Sequence, residues 1–96
     1  DPEAEVARIE RGLVAGLAAA TPLAAVAQVR TLGAVGVVQL REPVRVAEVT
    51  AAAIRRGVWL RPFRDLVYTM PPYVTTPEDL GTVCDAMVRA VATVHG

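Results

Sequence analysis

Apolar residues recur every three or four positions at the start of the chain: Val6, Ile9, Leu13, Leu17 and Ala20 share one side, while Glu3, Arg8, Glu10 and Arg11 take the other. This spacing predicts an amphipathic helix over about residues 2–20, with Asp1 as its cap and Pro2 in the first turn, where a missing N–H costs nothing. Gly12 and Gly16, four apart, would let a second backbone come close. Thr21-Pro22 ends the helix.

From residue 25 the pattern turns to β-branched residues with glycine punctuation, predicting strands at about 27–31 and 34–40 that meet near Leu32-Gly33. They form either a hairpin or one long strand bent at Gly33. After a turn at Arg41-Glu42-Pro43, the stripe Val46, Val49, Ala53 and Ile54 predicts a helix over about 45–56. Gly57 stands where a left-handed C-terminal cap belongs, and Arg55-Arg56 complement the negative helix end.

Residues 58–60 and 66–70 read as strands flanking a connection at 62–65, and Pro71-Pro72 halts pairing. Thr76-Pro77-Glu78-Asp79 starts a closing helix that reaches about residue 94, with Leu80, Val83, Cys84, Met87, Val88 and Val91 on its apolar face. The order helix, strand, strand, helix, strand, strand, helix predicts an α+β fold: a small, mostly antiparallel sheet covered by helices on one face. No repeat or low-complexity linker interrupts it.

At 96 residues the chain is one domain, residues 1–96. Apolar residues make up 53% of it and the mean hydropathy is +0.39, high for an object with so much surface to cover. Either part of that apolar surface meets another polypeptide, or alanine and valine inflate the index. The net charge is zero with no basic block, so nucleic acid is not an expected partner. No apolar run approaches the ~20 residues of a membrane span, and the acidic start is unlike a signal region, so the expected setting is cytoplasmic, without a membrane.

Cys84 alone excludes an internal disulfide and, with one histidine, a zinc site; its place on a helical stripe points to the core. Without serine no Ser/His/Asp arrangement exists, and His95 lies at the penultimate position, where termini fray. Gly33 and Gly36 belong to strands rather than to a phosphate loop, and Glu78 and Asp79 suit capping better than acid–base work. No catalytic or metal-binding residue is expected. The chain also contains no lysine, all ten basic residues being arginine, and it begins at Asp1, which suggests an excised or processed piece.

The chemistry gathers in residues 57–73, GVWLRPFRDLVYTMPPY, which hold the only Trp, the only Phe, both Tyr and three of the seven prolines. Charged residues within so apolar a stretch need a partner. The planar fork of Arg61 matches a carboxylate with two parallel hydrogen bonds, strengthened where Trp59, Phe63 and Tyr68 exclude water. Alternatively Arg61 pairs with Asp65 or stacks on an aromatic ring. Arg64 faces the same choice, and the adjacent Asp65 favours the structural role.

Three segments of this sequence, LGAVGVV at 32–38, GVWLRPF at 57–63 and LVYTMPPY at 66–73, resemble the C-terminal end of the class III aminotransferases. The resemblance runs from about residue 29 to the end, and the first helix fits the start of the same small domain. Trp59, Phe63 and the Met-Pro-Pro-Tyr run narrow it to the branch that acts in biotin synthesis. It implies a fold-type I enzyme dependent on pyridoxal 5'-phosphate, usually a homodimer, moving an amino group from S-adenosylmethionine to the keto acid 7-keto-8-aminopelargonate. Arg61 matches the arginine that binds the substrate's distal carboxylate; Arg64 follows on the pocket side of the motif as a second substrate-binding residue, and Tyr68 lines the pocket.

Schiff-base chemistry needs a lysine amine, which in this family comes from the large domain. The cofactor is therefore expected on that domain, as partner of this C-terminal small domain, and the chain alone is expected to be inert. The alternative is a stand-alone α+β binding or interaction module without catalysis.

Overall fold

The side chain of Asp1 accepts a hydrogen bond from the N–H of Glu3 (3.1 Å) and opens helix α1, Pro2–Leu17, which tightens into a 3-10 turn at Ala18–Ala20 before Pro22. The computed structural model describes all of residues 1–96. Strands β1 (Val26–Leu32) and β2 (Val35–Leu40) follow, then helix α2 (Val46–Arg55), strands β3 (Arg61–Phe63) and β4 (Leu66–Thr69), and helix α3 (Pro77–His95). At α3, Thr76 Oγ1 accepts from the N–H of Asp79 (3.1 Å), with Pro77 in the first turn and Glu78 and Asp79 at the positive helix end. No helix is long and apolar enough to cross a membrane.

The sheet has the order β1-β2-β4-β3, and every neighbouring pair is antiparallel. The choice left open at Gly33 falls to the hairpin: Leu32 faces Val35, and Gly33 takes φ +57° in the turn between them. A β-carbon on Gly36 would lie 2.8 Å from Leu17 Cδ1 and 3.0 Å from Leu13 Cδ2, so α1 rests on the face of β2 that carries Gly36. Because side chains alternate, Val38 and Leu40 share that face, and Val35, Val37 and Gln39 point to the other.

The core lies on the helical side. Val38 and Val67 of the sheet meet Ile9, Leu13 and Leu17 of α1, Val49 and Ala53 of α2, and Cys84, Met87 and Val91 of α3, all fully buried. No polar or charged residue is buried with them. Helices α1 and α3 approach closely where α1 carries glycine: a β-carbon on Gly16 would sit 2.6 Å from Cys84 Sγ, and one on Gly12 would collide with Leu80. The spacing of these two glycines thus serves an intramolecular helix contact.

Sequence and structure differ at the third strand, expected at 58–60 and found at Arg61–Phe63. The backbone of Val58 is already committed. Its N–H donates to the carbonyl of Ala53 (3.0 Å) while Gly57, at φ +78°, donates to Ile54 (2.8 Å), the paired bonds of a Schellman cap on α2. The apolar alternation that suggested a strand is real burial, since Val58 and Leu60 are buried and Trp59 is exposed. Pro62, expected in the connection, instead pairs with Val67 within β3, which is tolerated because β3 is an edge strand.

Candidate functional site

Register places Arg30, Val37, Tyr68 and Arg61 in one row across all four strands, on the sheet face turned away from the helices. The next row holds Gln28, Gln39, Leu66 and Phe63. Two of the three residues expected to bind substrate, Arg61 and Tyr68, are therefore direct cross-strand neighbours. They also line one cleft of about 380 Å³, whose wall includes Trp59, Met70 and Pro71.

Arg61 makes no ion pair and no side-chain hydrogen bond within the chain; the three ion pairs present are Arg8–Glu5, Arg45–Glu48 and Arg89–Asp85. It is exposed, as are Trp59 (70%) and Phe63 (55%), which corrects the expectation of a guanidinium enclosed by aromatics. Within these 96 residues the aromatics stand beside the arginine and leave it open to water. Tyr68 is half-buried.

Arg64 sits apart from the cleft. It is the first residue of the β3–β4 turn, at φ +57°, with its guanidinium 5.3 Å from the centre of the Phe63 ring. Of the two structural roles considered for the arginines, ring stacking holds for Arg64 and pairing to Asp65 holds for neither. The Asp65 carboxylate accepts instead from Gln39 Nε2 (2.9 Å), and Gln39 Oε1 accepts from Arg30, which also donates to Gln28 (2.7 Å). Gln39 carried no motif and its importance comes from strand register, which the sequence pattern left undetermined.

Two further tethers link distant segments. Arg8 Nη2 donates to the carbonyl of Tyr73 (2.9 Å) and to Glu5, tying α1 to the segment that follows Pro71-Pro72. His95 is helical rather than frayed, and its Nε2 accepts from the N–H of Arg45 (3.2 Å), the residue that caps α2. Cys84 is wholly buried and its thiol is pushed up to about 11 by that burial, which fits packing and not nucleophilic work. No group of His, Cys, Asp or Glu is arranged to hold a metal ion.

An antiparallel sheet with three helices on one face recurs as a part of solved transaminases. The adenosylmethionine-8-amino-7-oxononanoate aminotransferase of Methanocaldococcus jannaschii superposes with a TM-score of 0.79 over 92% of this chain and 23% of its own, at 20% identity. The family model described as Aminotransferase class-III matches residues 3–91, and the chain belongs to that family.

Enzymes named adenosylmethionine-8-amino-7-oxononanoate aminotransferase from Corynebacterium glutamicum and Mycobacterium leprae are 49% and 47% identical to it, over 91% and 98% of this chain. The chain spans about a fifth of their length, 21% and 22%. The family works with pyridoxal phosphate, which is attached through a lysine amine, and this chain has no lysine to offer. Its residues do not supply that attachment.

Proposed function

We propose that this chain is the C-terminal part of a pyridoxal-phosphate-dependent aminotransferase that converts 7-keto-8-aminopelargonate to 7,8-diaminopelargonate with S-adenosylmethionine as amino donor, in biotin biosynthesis. Its own contribution is recognition of the keto acid's distal carboxylate. The observation that carries this reading is Arg61: an exposed guanidinium without an intramolecular partner, beside Tyr68 and Trp59 in one cleft of a chain close in sequence to enzymes of that name. A guanidinium fork there pairs with a terminal carboxylate, and the neighbouring rings cover the carbon chain of the substrate. The Schiff-base lysine and the cofactor belong to a large domain of the same enzyme, which closes the water-exposed side of the cleft. A homodimer in the cytoplasm completes the reading.

The test is Arg61→Ala in the complete enzyme. The KM for the keto acid rises ~10- to 100-fold, as expected for loss of a charge-assisted pair, while the KM for S-adenosylmethionine moves far less. Equal effects on both substrates would count against carboxylate recognition by Arg61. The intact mass of the native gene product separates this reading from a stand-alone binding module: several tens of kilodaltons for the enzyme, close to the 10.1 kDa of these residues for the module.

A further inference from the structure

Asp65 is the only carboxylate in the β3–β4 hairpin, adjacent to Arg64 and on the same hairpin as Arg61, yet it pairs with neither. A carboxylate on the hairpin that carries an unpaired guanidinium is a ready partner for it, and one swung onto Arg61 would compete with a ligand carboxylate for the same fork. What occupies it is Gln39 on β2, the cross-strand partner of Leu66. The Gln39 amide is used at both ends: its oxygen accepts from Arg30, which can only donate, and its nitrogen donates at 2.9 Å to Asp65 Oδ2, which as a carboxylate can only accept. These two partners leave the amide one orientation. Arg30 is itself fixed by Gln28 at 2.7 Å, so the relay runs from β1 through β2 to the turn.

We propose that Gln39 is a positioning residue that holds Asp65 away from Arg61, keeping that guanidinium available to a substrate carboxylate; this rests on the reading of Arg61 given above. A neutral amide suits the task. It satisfies the aspartate without adding a further cation to the face where the substrate's charge is read, and it lets the charge of Arg30 bear on Asp65 at one remove.

The experiment is steady-state kinetics on the complete, cofactor-loaded enzyme. Gln39→Met keeps the length of the side chain and removes the amide, freeing Asp65 to pair with Arg61. The KM for the keto acid rises about fivefold, the scale of one exposed ion pair, with kcat and the KM for S-adenosylmethionine unchanged. Adding Asp65→Asn to Gln39→Met removes the competing charge and returns the KM to within about twofold of the parent, a rescue that simple loosening of the turn does not produce.

Gln39→Glu, which pairs with Arg30 and repels Asp65, moves the KM the same way and serves if the methionine variant folds poorly. An unchanged KM in the Gln39 variants, or a raised one that Asp65→Asn fails to restore, overturns the proposal. Arg61→Ala measured alongside separates the two levels. If it raises the keto-acid KM while the rescue fails, only the role of Gln39 is lost; if it leaves that KM unchanged, the reading of the site falls and this inference with it.

Discussion

Gly33 and Arg64 hold the same place in the two hairpins of the sheet: each is the first residue of a two-residue turn, and each has φ +57°. Glycine reaches this region freely, whereas an L-residue with a side chain costs about 1–2 kcal/mol there. Arg64 is held to it by its neighbours, because its carbonyl accepts from the N–H of Val44 (2.7 Å) and the carbonyl of Asp65 accepts from Leu40 (2.7 Å). Strain of this kind persists where the surroundings over-determine the backbone, here at the end of the strand that carries Arg61.

Arg64→Gly therefore removes strain while giving up the stack on Phe63 and adding freedom to the unfolded chain, and these effects nearly cancel. Urea unfolding of the 96-residue chain is expected to place it within about 1 kcal/mol of the parent, and Arg64→Val about 2 kcal/mol below it, since a β-branched residue tolerates positive φ worst. A large loss with glycine would show that the aromatic stack, and not the turn, decides the conformation.

Two helical glycines should respond to the same substitution with opposite signs. A β-carbon at Gly16 meets Cys84 at 2.6 Å, so Gly16→Ala must push α1 and α3 apart and costs ~1–3 kcal/mol, more than the gain in helix propensity. A β-carbon at Gly81, exposed on α3, meets nothing within 4 Å, so Gly81→Ala stabilises by up to about 1 kcal/mol. Comparing the two melting temperatures checks both at once.

Burial raises the Cys84 thiol from 9.0 to about 11, and the sign of the linked stability change follows. The folded state keeps its proton where the unfolded chain has already lost it. The associated stability is fully present below pH 9 and is lost as the pH rises towards 11, at up to about 1.4 kcal/mol per pH unit. Two measurements check this: unfolding midpoints between pH 8 and 11, and labelling by a thiol reagent at pH 8, expected to be slow in the native chain and fast in urea.

What the residue pattern could reveal was set by how local each cause is. The three helices, the cap at Thr76 and the left-handed Gly57 depend on neighbours within a turn, so the spacing of apolar residues and the cap types predicted them. The shift of β3 to Arg61–Phe63 was hidden because Val58 looks like a strand residue, while its N–H is spent on a helix cap. Arg61 and Tyr68 were legible as candidates from their apolar setting and the family resemblance. The partner of Asp65 was not, because the bond to Gln39 spans 26 residues and exists only in one strand register.

The tether from Arg8 to the backbone of Tyr73 spans 65 residues and had no signature in the sequence. It fixes the exit from Pro71-Pro72, and Met70, Pro71 and Pro72 form part of the cleft that holds Arg61. Neither proline has an N–H, so this segment has few backbone bonds of its own beyond the one from Thr75 to the carbonyl of Pro72 (3.0 Å). Arg8→Met keeps much of the apolar stem against the helix and deletes the donor. Hydrogen exchange at Thr75, whose N–H is the bonded one in this segment, is then expected to quicken about tenfold, the scale of one lost hydrogen bond to a charged donor, with exchange in the β2–β4 pair unchanged. If the sheet amides quicken to the same degree, Arg8 supports the whole fold rather than this wall of the cleft.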